Sequence, residues 1–201
     1  MFWPQCYYLQ ALNSLFFKME KILMPQLLLI AGTGRNTGKT TLACRIIQKF
    51  SPGKSIIALK ITPHFHKNIQ SGKILINETN LYIAEETDPT TGKDSSLMLK
   101  AGAQQSYFVM ATDEHLGKVI QNIFRIIPSE ALLVCESGGL RDWVVPGVFL
   151  LMNRKDIEIL KPNAEKLRML ADRLITFDGE KTDFELDAIE ITDNKWNLKR
   201  I

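Results

Sequence analysis

The residues best suited to chemistry form a glycine-rich loop, Gly32-Thr33-Gly34-Arg35-Asn36-Thr37-Gly38-Lys39-Thr40. Its second half matches the end of the Gly-x-x-x-x-Gly-Lys-[Ser/Thr] pattern, although Thr33 stands where the first glycine is expected. In that pattern backbone N–H groups surround phosphates, the lysine reaches the terminal phosphates and the hydroxyl binds Mg²⁺. The alternative is a chance glycine-rich turn before a helix. The loop predicts a phosphate site with Lys39 as a catalytic residue and nucleotide contacts from Gly34, Arg35, Asn36, Thr37, Gly38, Lys39, Thr40 and Thr41.

Two acidic residues are candidate magnesium ligands. Glu136 closes an apolar run over 131–135 and precedes two glycines, so its carboxylate can hold Mg²⁺ opposite Thr40. The alternative is a polar residue that simply begins a loop. Asp94 is either the N-cap of a short helix or a second metal or water ligand with a catalytic role.

One lysine and two histidines follow the second apolar run. Lys60 lies at a strand end that is otherwise apolar, where a buried lysine is costly unless bound phosphate pairs it. A catalytic role and a surface lysine with a buried stem are therefore both open interpretations of Lys60. His64 and His66 alternate and can share one face, but solvated loop histidines are the default interpretation.

Two later segments are further candidates. Asn153-Arg154-Lys155-Asp156 is similar to the Asn-Lys-x-Asp guanine-binding motif of GTPases, with arginine in place of lysine. Asn153 is therefore a predicted base contact, followed by Asp156, and a charged turn is the alternative. Arg141-Asp142-Trp143 is either a mobile loop that gates the site or a segment on which a partner subunit packs.

Apolar strands alternating with helical patterns must position these residues. The strands are expected over 26–31, 55–61, 82–86, 106–111, 131–135, 148–152 and 173–177, and the helices over 40–50, 94–101, 114–127 and 162–171. Such alternation predicts an α/β fold, a mostly parallel sheet with helices on both faces, of the P-loop NTPase type. Residues 25–201 are expected to form one domain. Ligands of such sheets bind beyond the carboxyl ends of the strands, where every motif above falls.

Composition excludes several classes of function. With 45% hydrophobic and 23% charged residues the chain can bury an ordinary core, and a net charge of +3 gives no case for nucleic acid. Three scattered cysteines indicate reduced thiols and a cytoplasmic protein. Residues 1–24 have neither a signal-peptide pattern nor an apolar run long enough for a membrane span. They are either an amphipathic extra helix or an over-long start, with Met19 or Met24 as alternative first residues.

The loop with Thr41 resembles the shifted-glycine loop of the dethiobiotin synthetase and MinD-like branch of P-loop proteins. Within that branch, Leu59-Lys60-Ile61-Thr62-Pro63-His64-Phe65-His66 and the segment from Gly92 to Ala103 are similar to the molybdopterin-guanine dinucleotide biosynthesis adaptor, the MobB-type family. The resemblance covers residues 26 to about 140. Glu136-Ser137-Gly138-Gly139-Leu140 departs from the adaptor's Glu-Gly-Phe-Lys and is closer to the Glu-Gly-Ala-Gly-Gly of dethiobiotin synthetase.

Three functions follow as expectations. The resemblance implies Mg²⁺-dependent binding and slow hydrolysis of a nucleoside triphosphate, GTP before ATP, as an accessory to molybdopterin guanine dinucleotide assembly. It implies a molybdopterin nucleotidyltransferase as protein partner, a metal role for Asp94 beside its capping role, and a homodimer as an open alternative. The second function is an ATP-dependent carboxylate ligase like dethiobiotin synthetase, with Lys60 and the glycines after Glu136 holding the substrate. The third is a partitioning ATPase, which would carry a second lysine early in the loop where Arg35 stands nearby.

Overall fold

Continuous apolar runs form the centre of the sheet. The computed structural model describes residues 20–65, 72–155 and 163–199. The strands are β1 Ile22–Gly32, β2 Ile56–Thr62, β3 Lys73–Glu78, β4 Leu81–Glu85, β5 Gln105–Ala111, β6 Leu132–Glu136, β7 Val144–Arg154, β8 Arg173–Phe177, β9 Ile189–Thr192 and β10 Lys195–Leu198. The helices are α1 Lys39–Phe50, α2 Asp94–Lys100, α3 Leu116–Ile126 and α4 Ala164–Leu170, with 3-10 turns at Asp113–His115, Leu140–Asp142 and Leu186–Ala188.

Eight strands make one sheet in the order β3-β4-β5-β2-β6-β1-β7-β8. The six strands from β5 to β8 in this order are parallel to their neighbours, whereas β4 runs antiparallel to β5 and β3 antiparallel to β4. The remaining two strands, β9 and β10, form a separate antiparallel hairpin. The predicted α/β class and the largely parallel sheet are confirmed.

Alternate residues of β1 belong to opposite layers of the core. Leu27 and Leu29 pack with the buried face of α3 and with Leu167 of α4. Leu28 and Ile30 pack with α1, which buries Leu42, Ala43, Ile46 and Ile47. Both faces of the sheet are therefore covered, which is why its strands read as unbroken apolar runs.

Several boundaries differ from those predicted. β1 begins at Ile22 rather than at residue 26, because residues 22–24 also pair with β7, with a register shift between Met24 and Leu28. The missed strand β3 lies at the sheet edge and has a weakly buried pattern. The fourth helix is described from Ala164 onward, and its predicted start at Pro162 lies outside the described residues.

The hairpin of β9 and β10 was not predicted either, although it belongs to the core. Trp196 in β10 is buried, and its indole Nε1–H donates to the Leu133 carbonyl oxygen of β6 at 3.1 Å. Its ring meets Phe50 of α1 edge to face, with the centroids 5.3 Å apart. The hairpin therefore completes the hydrophobic core between α1 and the sheet.

No helix among the described residues combines the length and the apolar character needed to cross a membrane.

We expect Trp196→Ala to lower the free energy of unfolding by about 3–5 kcal/mol, since it removes a fully buried aromatic side chain and leaves a cavity. Urea denaturation followed by circular dichroism would measure this loss. Met169→Ala is the control, because Met169 is 76% exposed and its truncation should have little effect. Equal stability of the two variants would contradict the packing of the hairpin.

Candidate functional site

The loop between β1 and α1 has the backbone shape that its residue types allow. Gly38 directly precedes α1 with φ of 79°, a left-handed conformation that glycine adopts without strain. Asn36 has φ of 51°, which asparagine tolerates better than most residues. The Thr33 N–H donates to the Met152 carbonyl oxygen, and Arg154 donates to the Asn36 carbonyl oxygen at 3.2 Å. The end of β7 thus fixes the loop.

Gly32 leaves space that the loop fills with its own side chains. A Cβ atom on Gly32 would lie 2.5 Å from Thr37 Oγ1 and about 3 Å from the end of the Lys39 side chain. Lys39 Nζ donates to Thr37 Oγ1 at 3.2 Å and lies 3.5 Å from the Gly34 carbonyl oxygen. A glycine is therefore required at position 32, because the Thr37 and Lys39 side chains occupy the space where a Cβ atom would lie.

Four residues that the sequence singled out separately form one bonded group, here called the carboxylate–lysine cluster: Thr40, Lys60, Asp94 and Glu136. Lys60 Nζ lies 2.6 Å from Glu136 Oε1 and 2.6 Å from Asp94 Oδ2. Thr40 Oγ1 lies 2.8 Å from Glu136 Oε2 and 3.1 Å from Asp94 Oδ1. Each carboxylate therefore contacts the ammonium with one oxygen and the hydroxyl with the other.

Strand pairing brings the cluster together. Lys60 and Glu136 are opposite each other in the pairing of β2 with β6, and Glu136 is also opposite Ile30 of β1. Asp94 is the first residue of α2, and Lys93 occupies the N-cap position. The capping interpretation of Asp94 is therefore not what the structure gives, because its carboxylate turns to Lys60 and Thr40 instead.

Burial makes the charges of the cluster interdependent. The side chain of Glu136 is 4% exposed, that of Lys60 16% and that of Asp94 39%. Burial alone would lower the pKa of Lys60, but Glu136 and Asp94 together outweigh it and raise that pKa above its ordinary value. The Cys44 thiol responds to the same negative charge, since burial, Asp94 and Glu136 raise its pKa to about 11.

An open cavity of about 660 Å³ connects the loop to the cluster. It lies at the carboxyl ends of the parallel strands, as expected for such a sheet. Its lining comprises Gly32, residues 34–41, residues 60–64, Asp94, Asp113, residues 136–139, Asn163, Leu167 and Phe177. All the predicted catalytic and metal residues, and all the predicted loop contacts, therefore border one space.

Asp113, Asn163, Leu167 and Phe177 line the cavity, although the sequence did not single them out. Asp113 begins the 3-10 turn after β5 and packs closely on Gly139, whose Cβ position would lie 2.6 Å from Asp113 Oδ1. Phe177 ends β8 and packs against Gly38 at the start of α1. A lone acidic residue in a loop and an aromatic residue at a strand end carry no sequence signal for a site.

The other candidates lie in different places. Asn153 Oδ1 accepts a hydrogen bond from Thr33 Oγ1 at 2.9 Å, and Asn153 does not line the cavity. His64 is exposed and lines the cavity, whereas His66 and Asp156 lie outside the described residues.

Trp143 packs within the chain. A Cβ atom on Gly117 of α3 would lie 2.6 Å from its ring, and the preceding Asp142 pairs with Lys166 of α4. The segment from Arg141 to Trp143 is thus tied to both helices of that layer.

The oxygen atoms of the cluster suit a hard divalent cation, which prefers carboxylate, hydroxyl and phosphate oxygens. Over residues 20–65, 72–155 and 163–199, no three His, Cys, Asp or Glu side chains are grouped to hold a metal. The donor set of Thr40, Asp94 and Glu136 therefore fits Mg²⁺ only when ligand oxygens and water complete it.

We expect Lys60→Gln to lower the free energy of unfolding by about 2–3 kcal/mol, since it leaves the buried Glu136 carboxylate without its cation while the partly exposed Asp94 stays solvated. A folded pKa raised above the unfolded value means that the stabilisation is present below that unfolded value. It is lost as the pH rises through the folded pKa, above 10.5. Urea denaturation at neutral and strongly alkaline pH should therefore show a difference that narrows at alkaline pH.

The matched control is Lys166→Gln, which breaks the exposed pair of Lys166 with Asp142. Exposed pairs contribute about 1 kcal/mol or less. A loss from Lys60→Gln no larger than that from Lys166→Gln would show that the cluster does not stabilise the fold.

Comparison of the chain with protein-family models, with curated proteins and with solved structures found no significant match. The likeness to the adaptor family therefore stays a prediction from the sequence motifs. Function has to be inferred from the loop, the cluster and the cavity.

Proposed function

We propose that this chain has a P-loop NTPase fold and binds and slowly hydrolyses a nucleoside triphosphate with Mg²⁺. The observation that carries the proposal is the position of the glycine-rich loop. It lies at the N-terminus of a 12-residue helix and faces a cavity that also contains Lys39, Lys60 and two carboxylates.

The start of α1 is electrostatically suited to phosphate. A helix N-terminus carries partial positive charge and unpaired N–H groups, which attract anions. No acidic residue of α1 itself occupies its first turn, and Lys39 adds a full positive charge there. Charge that develops on the phosphate oxygens during hydrolysis would be stabilised by this arrangement.

The metal-binding part of the proposal rests on Thr40, Glu136 and Asp94. When bound, Mg²⁺ supplies charge neutralisation at the terminal phosphate oxygens. Asp94 and Glu136 are both paired with Lys60 and are the proposed metal ligands, so neither carboxylate is free to take a proton from an attacking water in either state. This supports slow hydrolysis, or hydrolysis that depends on a partner.

A second cavity of about 370 Å³ adjoins the first and shares Gly38, Thr41 and Phe177 with it. It is also lined by Arg45 and Lys181. The shared border supports placing the phosphates in the first cavity and the nucleoside towards the second. An aromatic face such as that of Phe177 is a suitable surface for a base or a ribose.

The cellular role that we propose is accessory to molybdopterin guanine dinucleotide assembly, with GTP as the nucleotide and a molybdopterin nucleotidyltransferase as partner. The segment from Gly92 to Ala103 supports it, because this stretch supplies Asp94 to the cluster. The cytoplasmic location belongs to the same proposal.

An ATP-dependent carboxylate ligase is the second candidate. It is favoured by the extent of the cavity, which continues past the cluster to residues 62–64, Asp113 and the glycines 138–139. That space is suited to a second substrate beside the terminal phosphate. A ligase would release ADP rapidly and only when its small-molecule substrate is present, which an accessory NTPase would not do.

We expect Lys39→Ala to weaken binding of the Mg²⁺ complex of GTP by about ten- to a hundredfold, the range expected for loss of a charged hydrogen bond to phosphate. Isothermal titration calorimetry would measure it. Lys54→Ala is the control, because Lys54 is exposed and lies beyond the far end of α1. Undiminished binding by Lys39→Ala would remove the loop from the proposed site.

We expect the parent protein to bind GTP about tenfold more tightly than ATP. This is the difference in affinity that one base-specific hydrogen bond contributes. Asn153 lines neither cavity, so Asn153→Ala should narrow this preference only if bound GTP draws the asparagine away from Thr33. Thr33→Val is the control, since it removes the bond from Thr33 to Asn153 and leaves the asparagine in place. A preference for ATP in the same titrations would favour the ligase.

A further inference from the structure

The contacts of the carboxylate–lysine cluster have the form of a cation site that already contains a cation. Lys60 Nζ lies at 2.6 Å from an oxygen of each carboxylate, between Asp94 and Glu136. The remaining oxygen of each carboxylate faces Thr40 Oγ1. The four groups therefore close a ring in which the ammonium is the single positive member.

The ring is incompletely satisfied at Thr40. A hydroxyl group has one proton, so it can donate to only one carboxylate at a time. Thr40 Oγ1 lies 2.8 Å from Glu136 Oε2 and 3.1 Å from Asp94 Oδ1. One of these two carboxylate oxygens is therefore in contact with the hydroxyl oxygen without receiving its proton. A cation that bound both the hydroxyl oxygen and the carboxylate oxygen left without a proton would remove this conflict.

The net charge of the cluster also favours binding of a further cation. Asp94 and Glu136 contribute two negative charges and Lys60 one positive charge, so the ring retains one net negative charge. Because Glu136 is almost completely buried, water compensates this charge poorly. The site therefore attracts a further cation, yet the ammonium already contacts the oxygens that the cation needs.

We propose that the Lys60 ammonium and a divalent cation are alternative partners of the Asp94 and Glu136 carboxylates. Without metal, Lys60 holds the two carboxylates together; with metal, Lys60 leaves at least one of them. This inference rests on the proposed metal and nucleotide site and adds an order of binding to it. Metal alone has to displace a lysine, whereas metal that arrives with a triphosphate also brings negative charge to which the released ammonium can turn.

The inference is tested without nucleotide by titrating the protein with Mn²⁺ and measuring free Mn²⁺ by electron paramagnetic resonance. A neighbouring charge changes the proton affinity of a carboxylate by about 1–3 pKa units. We therefore expect Lys60→Gln to bind Mn²⁺ on the order of tenfold more tightly than the parent, or better. Lys73→Gln, an exposed change on β3, should match the parent.

The gain must depend on the carboxylates. The double variant Lys60→Gln with Glu136→Gln should lose it. Equal or weaker Mn²⁺ binding by Lys60→Gln than by the parent would overturn the inference, and so would a gain that survives in the double variant.

A measurement on the parent protein avoids any folding defect of the variant. Acetylation by acetic anhydride, followed residue by residue with mass spectrometry, reports how accessible each lysine amine is. We expect the Lys60 amine to react several-fold faster when Mn²⁺ is added at a concentration that saturates the parent in the titration above, whereas the Lys73 amine should not change. An unchanged rate at Lys60 would contradict its release.

The two proposals fail in distinguishable ways. If the parent binds no nucleotide but Lys60→Gln gains Mn²⁺ affinity, the proposed function is wrong and the competition between cations stands. If nucleotide binds and requires Lys39 while Lys60→Gln gains no Mn²⁺ affinity, only the competition is wrong.

Discussion

The rest of the site depends on neutralising one carboxylate, that of Glu136, at the end of a strand whose side chains are all buried. An unpaired charge in such a place is far more costly than a buried pair with good geometry. The fold supplies the partner by placing Lys60 opposite Glu136 in the neighbouring strand. Asp94, the first residue of α2, also pairs with Lys60. The ammonium that neutralises Glu136 in β6 therefore also holds the start of α2.

The sheet order explains why the loop belongs to the same site. β1 lies beside β6, and its carboxyl end leads into the glycine-rich loop, so Thr40 at the start of α1 reaches both carboxylates. On the other side, β7 holds the loop through Thr33 and Arg154. A loop fixed from β7 and a cluster fixed from β2 and β6 give a rigid frame, which is what ordered backbone donors need to act on phosphate.

Much of the fold was predictable because buried parallel strands are continuous apolar runs, as in β2, β5 and β6. The edge strand β3 and the hairpin of β9 and β10 were not, since partly exposed strands have little apolar periodicity. Lys60, Asp94 and Glu136 were each predictable as polar residues at element ends. That they bond to one another rather than separately to a ligand depends on strand order and register, which single-sequence patterns do not specify. For the same reason Asp113 and Phe177 became candidates only once the ends of β5 and β8 were placed beside the loop.

The bond from Trp196 to the Leu133 carbonyl oxygen reaches the strand that carries Glu136, three positions before it. β10 therefore supports β6 from behind, while β2 and β1 support it from the sides. The hairpin of β9 and β10 is thus connected to the strand that carries Glu136. Local opening of the hairpin of β9 and β10 should accordingly weaken the contacts within the carboxylate–lysine cluster. This is expected although no residue of the hairpin lines the first cavity.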